Sequence, residues 1–454
     1  MSNNDKQASL TGIRKTINIF WFRRDLRLDD NTALNKALEG KHAVLPIFIF
    51  DENIIDELPK DDARISFIYN NLSDINKELK TYGSGIKIYK GKPLEVWKSI
   101  LENYDIEEAY ANADYEPYAL KRDATIDGLL RNKGVKKGLQ TFKDSVIYEK
   151  DEIVKENNEA YTVFTPYKNR WLFNFNSDTS DEGSRFIPAD FHPEKNVGFT
   201  NFKNDFPDLE SLGFQQSRIG VNPYNINDLK DYAAIRDIPH MDGTSHLSTH
   251  LRFGTISIRR VISNLKPADE VFLSELIWRE FFMQILYNFP RVEKENFKKK
   301  YDAITWRNNE EEFEVWCRGE TGFPLVDAGM RQLNESGYMH NRLRMIVAGF
   351  LCKHLLIDWK WGEAYFAKKL LDYELSSNNG NWQWAAGTGC DAAPYFRIFN
   401  PITQLKKFDP EYKYVKKWIP DFHDNYNIKP IVEHRFARER ALNVYGGGLD
   451  KAKG

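Results

Sequence analysis

The first third of the chain alternates between short apolar runs and longer amphipathic segments. The apolar runs are rich in β-branched and aromatic residues and lie at Ile17–Phe22, Ala43–Phe50 and Ile86–Tyr89. Between the second and third runs, apolar residues recur three and four positions apart from residue 65 to residue 79. Strands that alternate with helices in this way predict a parallel sheet with helices on both faces.

The sequence after the first run argues against one common type of ligand site. Residues Phe22–Arg27 read FRRDLR at the place where a dinucleotide-binding fold usually has its Gly-rich GxGxxG turn. We therefore expect no phosphate site of that type at the end of the first strand.

The rest of the chain has a different pattern. From residue 175 to residue 225, Asn, Asp, Ser, Gly and Pro dominate, as in a long surface connector. Four later segments carry apolar residues at helical spacing: Val271–Leu286, Pro324–Glu335, His340–Leu356 and Gly362–Leu371. We predict an α/β plus all-α organisation, with a Rossmann-like parallel-sheet domain over residues 16–150, a linker over residues 151–225 and an all-α domain over residues 226–454.

Composition and charge narrow the classes of partner. Of the 454 residues, 41% are hydrophobic and 29% are charged, and the formal net charge is −2. So small a net charge gives no general attraction to nucleic acid, so such a partner would need basic residues gathered locally. The three cysteines are not spaced as a metal clip, so we expect reduced thiols and no metal site. The polar N-terminus and the lack of a long apolar run predict a cytoplasmic protein without a membrane partner.

The most informative segment lies between Ser376 and Pro401. It begins SSNNGNWQW, with Trp382 and Trp384 two residues apart among small and amide side chains. Such residues suit a wall on which flat rings stack while amides hydrogen-bond to the ring edges. Large helical cores also use aromatic residues, so the pattern alone leaves both interpretations open.

A second candidate is Arg344. It shares one face of a predicted helix with Asn341 and Met345, and Asp372 or Glu374 could supply its carboxylate partner. The pair would be an ordinary salt bridge between packed helices, or it would lie beside a cofactor ring that becomes anionic. Taken alone, this residue favours the ordinary salt bridge.

These segments closely resemble the photolyase/cryptochrome family. The likeness runs from Trp21 to Trp418. It is densest in DGTSHLS at 242–248, ELIWREF at 275–281, GMRQLN and MHNRLRM between 329 and 345, and residues 378–401. The class I cyclobutane pyrimidine dimer photolyases are the most similar branch, because HNRLRM and the pair Trp278 and Trp384 follow their pattern.

The resemblance implies FAD bound inside the helical domain. The residues that match its binding site are Tyr232, Thr244, Ser245, His246, Leu247, Ser248, Arg344, Asp372, Tyr373, Glu374 and Asn378. Asn378 is expected opposite flavin N5, where Asn favours the repair enzyme over plant and insect cryptochromes. Glu374 departs from the family, which usually has Asp at this position.

The resemblance also implies an electron path and a lesion site. Trp306, Trp359 and Trp382 match a chain of three tryptophans that carries an electron from the surface to the flavin. The expected catalytic residues are Glu275, Trp278, Asn341, Met345 and Trp384. The expected DNA contacts are Arg236, Glu275, Trp278, Arg279, Asn341, Arg342, Arg397 and Gln404.

Members of this family often hold an antenna pigment as well. Glu116 matches an acid that contacts 5,10-methenyltetrahydrofolate in some members, whereas Val292 and Glu293 stand where those members tend to have Cys and Lys. A deazaflavin, a second flavin or no antenna are alternatives.

The resemblance thus predicts a deoxyribodipyrimidine photo-lyase. It would act as a monomer on cyclobutane pyrimidine dimers in UV-damaged DNA, using an electron from photoexcited reduced FAD. The alternative is a cryptochrome-type blue-light photoreceptor without repair activity.

Overall fold

The computed structural model describes residues 16–179, 186–191, 198–202, 205–227, 229–241, 243–422, 426 and 428–452. The polar N-terminus, Asp242 of the DGTSHLS block and parts of the predicted linker lie outside the described residues. No helix in the described part of the chain combines the length and apolar content that crossing a bilayer requires.

The chain divides into two compact units, each made of several segments. The first consists of Met1–Ile147, Gly183–Arg218 and His250–Ser263. The second consists of Tyr148–Glu182, Ile219–Thr249 and Asn264–Gly454. Residues of the predicted linker therefore belong to both units.

The first unit is built on a five-stranded parallel sheet in the order β3-β2-β1-β4-β5. The strands are β1 (Thr16–Phe22), β2 (Val44–Asp51), β3 (Lys87–Gly91), β4 (Asp105–Asn112) and β5 (Leu139–Phe142). In the register of β1 and β2, Ile19 pairs with Leu45. The three predicted strands are confirmed, and β4 and β5 complete the sheet on the other side of β1.

The central strands β1 and β2 are buried on both faces. Ile19 and Trp21 of β1 join one hydrophobic cluster, whereas Phe20 and Phe22 join another. Because successive side chains of a strand point to opposite faces, the sheet is buried on both sides. This burial explains why these strands are continuous apolar runs and do not alternate with polar residues.

Five helices connect the strands and flank the sheet. They are α1 (Thr32–Leu38), α2 (Glu52–Ile55), α3 (Ala63–Thr81), α4 (Pro93–Asn103) and α5 (Pro117–Asn132). Two of them begin at a proline, whose missing N–H would lack a partner in the first turn of any helix. The amphipathic pattern over residues 65–79 corresponds to α3.

The second unit is helical. The remaining helices are α6 (Phe164–Thr179), α7 (Tyr232–Ile235), α8 (Leu247–Phe253), α9 (Ile258–Ser263), α10 (Glu270–Asn288), α11 (Glu310–Arg318), α12 (Pro324–Ser336), α13 (Asn341–Gly349), α14 (Trp359–Lys369), α15 (Leu375–Ala386), α16 (Pro401–Phe408), α17 (Lys413–Trp418) and α18 (His434–Lys451). Of these, α9 and the part of α8 from His250 onward belong to the first unit. The four predicted helical segments correspond to α10, α12, α13 and α14. A π-helical turn, Phe350–Leu355, continues α13. The predicted fold class, an α/β unit and a helical unit, is confirmed.

Two of the helices that were not predicted from the sequence are α6 and α18. Helix α6 lies inside the predicted linker and buries Tyr167 and Trp171, and the indole Nε1 of Trp171 donates to Glu280 at 2.7 Å. Helix α18 buries Ala441 and Tyr445 but also contains three consecutive glycines, residues 446–448. Glycine has a low helix propensity, so this segment carries a weak helical signal.

A lysine is buried in the second unit. Lys353 is 2% exposed, and its Nζ donates to the Tyr395 carbonyl at 2.9 Å. The same Nζ lies 4.6 Å from the centroid of the Tyr445 ring. Burial lowers the pKa of this ammonium group to about 8, because it is removed from water without a carboxylate partner among the described residues.

We expect Lys353 to make stability rise with pH from about 8 to its unperturbed value of 10.5. In this window the unfolded chain still binds the lysine proton and the folded chain has lost it, so a higher pH favours folding by up to about 3 kcal/mol. The measurement is the free energy of unfolding against pH for the unchanged chain and for Lys353→Met. Comparison with this variant is needed because burial raises the pKa of Cys352 and Tyr445, which act in the opposite direction. A constant difference between the two proteins across the window would contradict the assignment.

Candidate active site

A cavity of about 610 Å³ opens within the helical unit. Its walls come from α13, α14, α15 and the segment between the last two. It is lined by Asn341, Arg344, Met345, Ala348, Phe366, Leu370, Asp372, Tyr373, Glu374, Ser377, Asn378, Asn381, Trp382, Trp384 and Ala385. The cavity thus brings together residues predicted for cofactor binding, for lesion binding and for electron transfer.

A partly buried ion pair lies in the wall of this cavity. Arg344 Nη2 donates to Asp372 Oδ2 at 2.8 Å, and Arg344 Nε donates to the Met339 carbonyl at 2.8 Å. Burial acts to lower the pKa of this guanidinium, but the Asp372 carboxylate outweighs it and raises the pKa. The other carboxylate oxygen, Asp372 Oδ1, is buried and accepts no hydrogen bond from the described residues. A ligand with an N–H or O–H group would satisfy this acceptor.

Glu374 acts as the N-cap of α15. Its side chain accepts from the Ser377 backbone N–H at 3.2 Å and from the hydroxyls of Ser376 and Ser377 at 2.6 and 2.7 Å. An N-cap carboxylate satisfies the unpaired N–H groups of the first turn and is favoured by the helix dipole. Glu374, which stands where the family usually has Asp, is therefore held in place by Ser376 and Ser377.

Asn378 is oriented by a residue that the sequence interpretation missed. Its Nδ2 donates to Glu363 Oε1 at 2.8 Å and to the Glu363 carbonyl at 3.1 Å. Because the amide nitrogen is used in this way, Oδ1 is the atom left to accept a hydrogen bond from a ligand in the cavity. Burial raises the pKa of Glu363, although its bond with Asn378 acts in the opposite direction.

Two glycines allow α15 to pack closely against its neighbours. A Cβ atom added to Gly362 of α14 would lie 2.1 Å from Cη2 of Trp382. One added to Gly380 of α15 would lie 2.2 Å from Cδ1 of Phe282. Any larger residue at either position would push α15 away and alter the cavity wall.

A second cavity, also of about 610 Å³, contains the other part of the predicted cofactor site. It is lined by Asn225, Leu229, Asp231, Tyr232, Ile235, Gly243, Thr244 and Ser245. Tyr338 contacts one residue of the second cavity and one residue of the first. The hydroxyls of Thr244 and Tyr338 are 3.1 Å apart, and the Arg344 guanidinium lies 5.8 Å from the centroid of the Tyr338 ring.

The remaining residues of the DGTSHLS block lie around the start of α8. Leu247 is its first residue and is buried, and its backbone N–H donates to Ser245 Oγ at 3.4 Å. The His246 ring packs 5.2 Å from that of Tyr338, and Ser248 is exposed. These three predicted residues are not in the lining of either described cavity.

Three of the five predicted catalytic residues line the first cavity, and the other two are outside its described lining. Asn341, Met345 and Trp384 line the first cavity, whereas Glu275 and Trp278 of α10 are outside its described lining. The Trp278 ring instead stacks on Phe164 at a centroid distance of 3.6 Å and an interplanar angle of 9°.

Two of the predicted DNA-binding arginines form ion pairs. Arg236 Nη1 donates to Glu275 Oε1 at 2.7 Å. Arg342 Nη2 lies 2.6 Å from Asp237 Oδ2, and its guanidinium carbon is 4.5 Å from the centroid of the Phe408 ring. Each arginine therefore already has a carboxylate at hydrogen-bond distance.

The other predicted DNA contacts are more spread out. Arg397 is exposed in the segment between α15 and α16. Gln404 is half-buried on α16, and Arg279 is half-buried on α10.

The three predicted electron-transfer tryptophans share one aromatic region. Trp382 lines the first cavity, and Trp359 is buried with its Nε1 donating to Asn296 Oδ1 at 2.8 Å. Trp306 is half-buried, and its ring contacts that of Tyr445 edge-on at 5.8 Å. Trp382 and Trp359 belong to one hydrophobic core, and Trp306 packs against it.

The predicted antenna residue Glu116 belongs to a charge cluster in the first unit. Its Oε1 accepts from Arg24 Nη1 at 3.0 Å and lies 3.7 Å from Arg252 Nη1. An antenna pigment stays a prediction.

Two known family models match this chain. Residues 272–441 match the FAD binding domain of DNA photolyase, and residues 18–185 match the DNA photolyase domain. An Escherichia coli deoxyribodipyrimidine photo-lyase is 36% identical over 95% of this chain and 98% of its own length. The chain belongs to the DNA photolyase family.

Solved photolyase structures also have a fold similar to that of this chain. A bacterial class III photolyase from Agrobacterium tumefaciens has a TM-score of 0.84 at 30% identity, covering 97% of this chain and 99% of its own. An archaeal photolyase from Sulfolobus tokodaii, solved with two FAD molecules, has a TM-score of 0.78 at 33% identity, covering 95% and 99%. The class I assignment stays a prediction.

The photolyase family thus identifies the helical unit as an FAD-binding domain, and its residues fit that cofactor. The first cavity offers the unpartnered Asp372 Oδ1 and the Asn378 carbonyl to a polar ring edge. The second offers the hydroxyls of Tyr232, Thr244 and Ser245, groups that can donate to phosphate or ribityl oxygens.

We expect Asp372→Asn to weaken FAD binding about threefold to tenfold, the effect of one lost or weakened hydrogen bond. The amide keeps the shape but pairs less well with Arg344. The measurement is the flavin content of the purified protein and the Kd for FAD on rebinding. Glu335→Gln, which removes the charge of an exposed acid of the same unit, is the matched control. An unchanged Kd for Asp372→Asn would exclude Asp372 from the cofactor site.

Proposed function

We propose that the chain splits cyclobutane pyrimidine dimers in DNA in a light-dependent reaction. The observation that carries this proposal is the shared cavity. Asn341, Met345 and Trp384, the lesion candidates, line the same space as the cofactor candidates Asp372 and Asn378. Electron transfer from cofactor to lesion needs this proximity.

The lesion candidates have the chemistry that a flipped dimer requires. Photolyases in general extrude the target base from the duplex, which removes its stacking partners. Trp384 offers an aromatic face and Met345 a polarisable apolar one in their place. The Asn341 amide can both donate to and accept from the exposed base edges.

Bound FAD, when reduced and excited by blue light, would lend an electron to the dimer and regain it once the two ring bonds have split, so the repair has no net change of oxidation state. Arg344 and Asp372 hold one end of the site, and Asn378, fixed by Glu363, holds an acceptor in the cavity wall. Trp382 lines the same cavity and would be the last tryptophan of the path that brings an oxidised flavin to its reduced state.

Glu275 and Trp278 would join the lesion site only after local rearrangement. In our proposal Glu275 leaves Arg236 to accept a hydrogen bond from the dimer edge. Trp278 would leave Phe164 to offer its face. We further propose that the protein acts as a monomer on UV-damaged DNA.

The direct test is repair of a dimer-containing oligonucleotide by the reduced protein under blue light. We expect dimers to disappear in the light and to persist in the dark and in flavin-free protein. If the illuminated, flavin-loaded protein leaves the dimers intact, the cryptochrome-type photoreceptor becomes the better description.

The electron path has a separate test. Trp306→Phe should slow light-driven flavin reduction in the oxidised protein, because phenylalanine is much harder to oxidise than tryptophan. It should leave repair by previously reduced protein unchanged. Trp361→Phe, which changes another half-buried tryptophan at the same core, is the matched control. Equal loss of both activities in Trp306→Phe would show that Trp306 is not on a dedicated reduction path.

A further inference from the structure

Two arginines of the helical unit are paired with acidic residues of the same unit. Arg236 pairs with Glu275 and Arg342 pairs with Asp237. Burial lowers the pKa of the neighbouring His340 to about 4, so its ring is neutral at pH 7 and adds no charge. The two pairs therefore present little net positive charge to a DNA backbone.

The position of Arg342 links its ion pair to the proposed active site. It follows Asn341, a cavity residue, in the first turn of α13. Its guanidinium is held over the Phe408 ring, and its Nε is buried without a hydrogen-bond partner among the described residues. Arg342 is thus oriented by apolar packing as well as by Asp237, and it has an unused donor.

The carboxylate partner is much more accessible than the arginine. The Asp237 side chain is 41% exposed, and that of Arg342 is 17% exposed. Water screens such a pair, so it contributes little and exchanges at low cost. A DNA phosphate needs the same N–H groups of Arg342 that Asp237 Oδ2 now occupies.

We propose that Asp237 limits the affinity of this protein for DNA by competing with a backbone phosphate for Arg342. The inference rests on the proposed function, which makes DNA the partner. Binding replaces the Asp237 carboxylate by a phosphate oxygen on the guanidinium, and release of DNA restores the pair. Asp237 therefore weakens the hold on the product as well as on the substrate.

The expected size follows from the exposure of the pair. An ion pair of this type is worth about a two- to fivefold change in affinity. Asp237→Asn should tighten DNA binding by this factor beyond the gain that comes from removing a negative charge. It should also make the salt dependence steeper, because Arg342 is then fully available to release a counterion from DNA.

A double-mutant cycle separates competition from simple repulsion. The unchanged chain, Asp237→Asn, Arg342→Ala and the double variant are compared in the flavin-loaded state. The measurement is Kd for undamaged and dimer-containing duplexes at several salt concentrations. Competition predicts that Asp237→Asn tightens binding about two- to fivefold more when Arg342 is present than when it is alanine. Simple repulsion predicts the same gain in both backgrounds and would overturn the proposal.

Two further variants control the result. Asp74→Asn removes the charge of an exposed acid of the first unit, which also pairs with a lysine, and should change Kd much less than Asp237→Asn. Asp237→Glu keeps a carboxylate within reach and should bind DNA like the unchanged chain. If the unchanged chain shows no preference for dimer-containing DNA, the proposed function fails. If it shows that preference but the cycle shows no coupling, only the role of Asp237 is wrong.

Discussion

The close packing of α15 is the constraint on which the active site depends. Gly362 of α14 leaves no space for a side chain against Trp382 of α15, and Gly380 of α15 leaves none against Phe282 of α10. Because the helix lies so close, its residues form one wall of the cavity instead of a separate surface. The N-cap at Glu374 fixes the residue at which α15 begins. The sequence therefore sets both how close this wall lies to the neighbouring helices and where it begins.

Two arginine–aspartate ion pairs have different roles in this structure, and they differ in how deeply the aspartate is buried. The Asp372 side chain is 4% exposed beside Arg344, so breaking that pair would leave a charge in the protein interior at high cost. The Asp237 side chain is 41% exposed beside Arg342, so its pair is exchanged more easily. A rigid pair suits a permanently bound cofactor, whereas an exchangeable pair suits a polymer that must be released.

The sequence predicted some features well because their signals are local. Strand β1 was predicted because a strand buried on both faces is a continuous apolar run. Helix α15 gave no clear pattern, since its Ser, Asn and Gly residues are poor helix formers that are stabilised here by tertiary packing. Glu363 was missed because its contact with Asn378 joins two helices, and nothing in either segment signals the pairing.

Tyr338 also escaped the sequence interpretation, and its position has a consequence for ligand selection. It contacts Thr244 of the second cavity and Arg344 of the first, so the two halves of the proposed cofactor site are joined through one ring. A dinucleotide that fills both cavities benefits from a high effective concentration of its second half once the first half is bound. A mononucleotide or a free nucleoside has no such tether. The architecture can thus discriminate against cofactor fragments without a single repulsive contact.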